Sequence, residues 1–157
     1  MIKPYKISVP KSTLNNIYNK VRNYPWKKID NVSGWEYGTN YNFLKKISQY
    51  WVSKYNWKKF ENKINSFENY RTKVDDINLH FIKEKSNNPK SRPLLLLHGW
   101  PGSVIEFFDI IPRLAHPEKF GGKIEDGFDV IVPSLPGFGF STPIKKALGP
   151  RKIGKIL

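Results

Sequence analysis

The sequence predicts an α/β fold, with a helical and meandering extension ahead of the first strands and helix of an incomplete sheet. Three observations predict it. The first is Pro93-Leu94-Leu95-Leu96-Leu97, an apolar run too short for a helix and bounded by punctuating residues. It reads as a strand buried on both faces, ending at His98-Gly99-Trp100-Pro101-Gly102, a turn built from the strongest backbone breakers. The second is Ser103-Val104-Ile105-Glu106, which has the form of a capping box. After it Val104, Phe107, Phe108, Ile111 and Leu114 fall at helical spacing. The third is Phe128-Asp129-Val130-Ile131-Val132, another short strand, leading into Pro133-Ser134-Leu135-Pro136-Gly137-Phe138-Gly139-Phe140-Ser141. The order is strand, turn, helix, strand.

Composition limits what surrounds this unit. The net charge is +14 and unevenly placed: residues 1–90 carry 18 Lys and Arg against 7 Asp and Glu, residues 91–157 carry 9 against 6. The shift marks a boundary near residue 90, so 1–90 is expected as one domain, reaching to about 110 at most, and 91–157 as the next. Basic charge raises nucleic acid or an anionic membrane as partners. The lysines, however, are scattered singly or in pairs, with no nucleic-acid motif, and read as a solvated surface. No specific nucleic acid is expected. The chain has no cysteine, which excludes disulfides and thiol catalysis. No cofactor or metal is expected either. The N-terminus is not a signal peptide, and no apolar run approaches the roughly 20 residues that span a bilayer. A soluble, cytoplasmic protein without a membrane anchor is the expectation; its oligomeric state is not legible.

Along the extension, residues 5–9 alternate loosely as an edge strand or extended arm. Leu14, Ile17, Tyr18 and Val21 predict a helix capped by Ser12 and stopped by Pro25. Residues 25–40 read as an aromatic-rich meander. Asn42 is a candidate cap for a second helix carrying Leu44, Ile47, Trp51 and Tyr55. The interleaving of Tyr50, Trp51, Tyr55 and Trp57 with lysines also fits base stacking; a core stripe with a wet opposite face is the simpler reading. Val74 to Ile77 reads as a hairpin turn, with Asp76 at its glycine-like position, and Leu79 to Ile82 as the following strand. His80 has no metal-spaced partner and reads as a packed structural histidine, His116 as a surface loop residue. Pro150 suits the first turn of a last helix, with Ile153, Ile156 and Leu157 on its apolar side.

The chemistry-bearing candidate is the turn after the leucines. Pro101 has no N–H, so the donor best placed to point outward is the amide of Trp100. A preorganised amide aimed at developing negative charge is half of an oxyanion hole.

The pairing of the Leu-rich strand, His-Gly-Trp-Pro-Gly, helix, strand and Pro-Ser-Leu-Pro-Gly-Phe-Gly-Phe-Ser resembles the α/β-hydrolase epoxide hydrolases of the microsomal and juvenile-hormone branch. Trp35-Glu36-Tyr37-Gly38, Tyr50-Trp51, Tyr55-Asn56-Trp57 and Leu79-His80-Phe81-Ile82 resemble that branch's N-terminal domain. The resemblance runs from about Lys3 to Ser141. It implies an N-terminal domain followed by an incomplete α/β-hydrolase sheet, truncated before the nucleophile.

It also implies a two-step reaction on a small apolar epoxide. An aspartate in a Gly-X-Asp-X-Gly setting attacks the epoxide carbon to form an ester, and a histidine-activated water hydrolyses that ester to the diol. Trp100 would give one oxyanion-hole amide, His98, Gly99 and Pro101 would shape the turn, and Trp100 and Phe138 are candidates for lining an apolar pocket. Asp30, Asp75, Asp76, Asp109, Asp126 and Asp129 all lack the Gly-X-Asp-X-Gly setting, and Gly-X-Ser-X-Gly is absent. The nucleophile, its carboxylate and its histidine are therefore expected beyond residue 157, and the chain alone is expected to be inactive, with an uncovered apolar sheet edge. Alternatives are another α/β-hydrolase, such as a haloalkane dehalogenase or serine esterase, and a non-catalytic basic binding remnant.

Overall fold

The computed structural model describes residues 1–27 and 34–157. Asp30 and part of the 25–40 meander lie outside the described residues. The chain forms two compact units, Ser8–Glu61, and Met1–Ile7 together with Asn62–Leu157.

The Ser8–Glu61 unit holds α1 (Lys11–Arg22), α2 (Tyr41–Ser53) and most of α3 (Trp57–Ile64). The expected helices are present, but their caps differ. α1 begins at Lys11 behind Pro10, with no side-chain cap, and Ser12 lies inside its first turn. Pro10 fixes the chain's entry instead. In α2 the cap is Asn40, not Asn42; its Oδ1 accepts from the Phe43 N–H at 3.0 Å. Two of the meander aromatics pack on α2: Trp26 sets its ring edgewise on Tyr41 (5.9 Å), and Trp35 lies against Phe43 (5.1 Å). Glu61 is 5% exposed and holds this unit together at one point. Its carboxylate accepts from the Val9 N–H at 2.7 Å and Trp57 Nε1 at 2.9 Å, and pairs with Lys58. Burial alone would raise its carboxyl, but these donors outweigh that and lower it.

The second unit is a five-stranded mixed sheet. Its strands are β1 (Lys3–Pro4), β2 (Glu68–Val74), β3 (Ile77–Glu84), β4 (Pro93–Leu95) and β5 (Asp129–Pro133), in the spatial order β1-β2-β3-β5-β4. β1, β2, β3 and β5 pair antiparallel, and β4 with β5 is parallel. The edge strand expected at 5–9 is thus Lys3–Pro4, with Ile7 beyond it buried and clamped by both polar atoms of Asn65. The hairpin between β2 and β3 forms as expected, but the positive φ (52°) falls on Asp75 and not on Asp76. Ile82, Val130 and Val132 are fully buried at the centre, with Val104, Phe108, Ile111 and Ala115 over them from the crossover.

Two expectations about that crossover are corrected. The single helix after Ser103 is in fact a 3-10 turn (Val104–Phe107) followed by α4 (Ile111–Ala115). Pro112 explains the break: it has no N–H for the Phe108 carbonyl, and its ring clashes with the preceding turn. The leucine strand is not buried on both faces. Leu95 and Leu97 are 45% and 50% exposed, because β4 is an edge strand and alternate residues share one sheet face that no described element covers. Short 3-10 turns at Pro117–Phe120 and Ile124–Asp126 return the chain to β5, and α5 (Pro150–Ile156) carries Pro150 in its first turn.

Candidate active site

Because β4 and β5 run parallel, the turns that follow them leave the sheet at the same end. They are the His98–Ser103 and Pro133–Ser141 segments, and one side chain joins them. His98, 4% exposed, accepts from the Leu135 N–H through Nε2 at 3.1 Å. That bond places the ring proton on Nδ1, which donates to the Gly99 carbonyl at 3.1 Å. Phe138 sets its ring edgewise against the same imidazole, with centroids 5.2 Å apart.

The first turn closes on itself. The Gly102 N–H donates to the Gly99 carbonyl at 2.8 Å. Trp100–Pro101 is a cis peptide. The capping box forms: Glu106 accepts from the Ser103 N–H at 3.0 Å, and Ser103 Oγ accepts from the Ile105 N–H at 3.4 Å. Only glycine suits position 102, where a Cβ would fall 1.7 Å from Glu106 Oε1 and 2.9 Å from the Gly99 oxygen. The Trp100 ring stands 84% exposed, and among the described residues the Trp100 amide donates no hydrogen bond. The Phe138 amide is occupied by the Leu135 carbonyl at 2.8 Å.

The second turn is fastened from below by a group of buried polar side chains. His80 is completely buried and sits opposite Ser134 at the β3–β5 boundary. Asn69 Nδ2 donates to the Ile64 and Phe67 carbonyls, which leaves its Oδ1 to accept from His80 Nε2 at 3.0 Å. His80 Nδ1 then accepts from Ser134 Oγ at 2.9 Å. Ser141 Oγ accepts from the His80 N–H at 2.9 Å and donates to the Ser134 carbonyl at 2.6 Å. Burial first, and the Arg71 guanidinium second, push the His80 pKa down to about 4. The ring is neutral, and every polar atom of the group is matched.

Sequence reasoning assigns no separate role to Ser134, Leu135 or Ser141. The signal was there in the two serines that close the Pro-Ser-Leu-Pro-Gly-Phe-Gly-Phe-Ser segment, but their partners lie 54 and 61 residues away. His116 is corrected from a surface residue: it is buried, and its Nε2 donates to Glu84 Oε1 at 2.8 Å. Asp129, which lacks the Gly-X-Asp-X-Gly setting, accepts from the Ser86 N–H at 3.0 Å and Ser91 Oγ at 2.8 Å, pinning the loop before β4. Among the described residues no three His, Cys, Asp or Glu side chains gather as metal ligands, and no helix is long and apolar enough to cross a membrane.

Comparison with known proteins places the chain in a family. Residues 2–107 match the "Epoxide hydrolase N terminus" family and residues 92–150 the "alpha/beta hydrolase fold" family. The chain is 43% identical over 155 residues to a protein of Stigmatella aurantiaca named "Putative epoxide hydrolase", covering 98% of this chain and 35% of that one. It is 38% identical over 151 residues to Epoxide hydrolase 1 of Oryctolagus cuniculus, covering 92% and 33%. The solved epoxide hydrolase of Aspergillus niger superposes with a TM-score of 0.85 at 28% identity, covering 99% of this chain and 41% of that one. The chain thus spans about a third of the length of the curated relatives it matches. A turn fixed by His98 at the end of a parallel strand, on a partial α/β-hydrolase sheet, and these matches lead to one conclusion: the chain belongs to the epoxide hydrolase family of the α/β-hydrolase fold, corresponding to the N-terminal part of its relatives.

Proposed function

We propose that these residues supply the oxyanion-hole turn of an epoxide hydrolase, with the Trp100 amide as one donor. In a protein of its relatives' length, an aspartate attacks an epoxide carbon, the C–O bond breaks, and the ring oxygen leaves as an alkoxide that takes a proton. Water then adds to the aspartyl ester, and the negative oxygen of that tetrahedral intermediate accepts from Trp100 N–H before the diol's second hydroxyl is released. The reacting carboxylate and histidine belong, in this reading, to sequence outside the 157 residues. His98, Gly99 and Pro101 hold the turn, and Trp100 and Phe138 face a small apolar epoxide. In this reading residues 1–90, reaching to about 110, are the N-terminal domain and the hydrolase core begins at 91.

The observation that carries this reading is the Trp100 amide, which is without a partner among the described residues at the exposed head of a turn held by the Gly102–Gly99, His98–Gly99 and Ser103–Glu106 bonds. One such donor is worth about 100- to 1,000-fold in turnover. Two experiments test it. The pure 157-residue chain incubated with styrene oxide should form no diol above the buffer rate; turnover abolished by a substitution within the chain would overturn the reading. About 40 codons of DNA beyond Leu157, the span of one further strand–helix unit, should encode an apolar strand followed by Gly-X-Asp-X-Gly. Gly-X-Ser-X-Gly there would make it an esterase.

A further inference from the structure

We infer that His98 is a positioning residue for the Trp100 amide, acting in one neutral tautomer through the Gly99 carbonyl. The inference rests on the reading of that amide just given. The Gly99–Trp100 peptide is trans, so the Gly99 carbonyl and the Trp100 N–H are opposite ends of one planar unit. The carbonyl end is held by two donors, His98 Nδ1 at 3.1 Å and the Gly102 N–H at 2.8 Å. With that end tied inward, the N–H end must face away from the turn. The same two bonds polarise the peptide and strengthen its N–H as a donor.

The two bonds do different work. Gly102 belongs to the turn and rotates with it, so its bond alone fixes shape but not direction. His98 refers the peptide plane to a separate body. Its Nε2 is held by the Leu135 N–H, and the Leu135 turn is itself fastened through Ser134 and Ser141 to the buried His80. The opposite tautomer would set N–H against N–H at Leu135 and a lone pair against the Gly99 carbonyl. The histidine type is thus required because one ring must accept on one side and donate on the other.

Nitrogen NMR on the 15N-labelled chain tests this without any variant: His98 should carry its proton on Nδ1, with Nε2 bare. A proton on Nε2 would overturn the inference. Two variants then separate the two bonds. His98→Gln keeps an acceptor near the Nε2 position but no donor for Gly99; His98→Asn keeps the donor but not the acceptor. Leu135 amide exchange should rise about tenfold in His98→Asn, the scale of one neutral hydrogen bond, and stay near wild type in His98→Gln. The Trp100 amide nitrogen resonance should move in His98→Gln and hold in His98→Asn. Both signals moving together in each variant, as loss of packing would cause, would overturn the assignment, as would neither moving. None of these readouts depends on diol formation, so the clamp and the epoxide reading stand or fall separately.

Discussion

Ser134 Oγ and His80 Nδ1 lie 2.9 Å apart with Asn69 on the far side of the imidazole, a Ser–His–Asn arrangement sealed inside the sheet. Its residue types are those of a nucleophile, a base and its orienter. Its environment decides otherwise. Ser134 and His80 are 1% and 0% exposed, out of reach of any substrate, and the low His80 pKa makes the ring a poor base at neutral pH. The group is a fastener that joins β2, β3 and the second turn.

That fastener predicts acid lability. Unfolded, His80 takes up a proton near its ordinary value of 6.5; folded, it does so only near 4. Stability is therefore full above pH 6.5 and is lost as pH falls toward 4, by about 3 kcal/mol for this group. Denaturant titrations between pH 7 and 4 should show the slope, and His80→Gln should flatten it.

Glu61 predicts a second acid-sensitive point, in the other unit. Its carboxyl is lowered when folded, so its contribution is present above its unfolded value of 4.5 and lost as pH drops through the folded one. Glu61→Ala leaves the Val9 and Trp57 N–H groups without their acceptor and should destabilise by about 3 kcal/mol. Urea unfolding followed by tryptophan fluorescence measures it.

Gly102→Ala should cost about 1–3 kcal/mol, since the new methyl displaces Glu106 from the capping box and crowds the Gly99 oxygen. Glu106→Ala removes the nearer obstacle. The double variant should therefore lose less than the sum of the two single ones, a coupling that thermal melts of all three resolve.

Trp100→Ala should leave stability within about 0.5 kcal/mol of wild type, because the ring is 84% exposed and the turn is bonded through backbone atoms and His98. A loss above about 2 kcal/mol would mean that the ring is packed.

The sequence was most legible where local rules decide. The two strands, the His98–Ser103 turn and its capping box follow from periodicity and punctuation, and all are present. The reading failed where a neighbour decides. Leu95 and Leu97 were assigned to a doubly covered strand because a leucine run carries no mark of its place in the sheet. Pro112 was passed over inside a regular apolar stripe, although its missing N–H breaks the helix. His80 was recognised as structural, yet its links to Ser134, Ser141 and Asn69 could not be foreseen, since each depends on strand register. Likewise His98 was assigned to the turn, but its bond to Leu135 spans 37 residues and exists only because β4 and β5 are parallel neighbours.

The outer rim of β4 has a practical consequence. Leu96 gives its N–H to Ile131 on the inner side, and beyond the outer side no described strand follows. Leucines with an open row of peptide groups are what another copy's strand can zip onto. Crowding is then a hazard for this chain: copies would stack rim to rim as concentration rises, and a lysine placed at Leu95 or Leu97 would keep them apart.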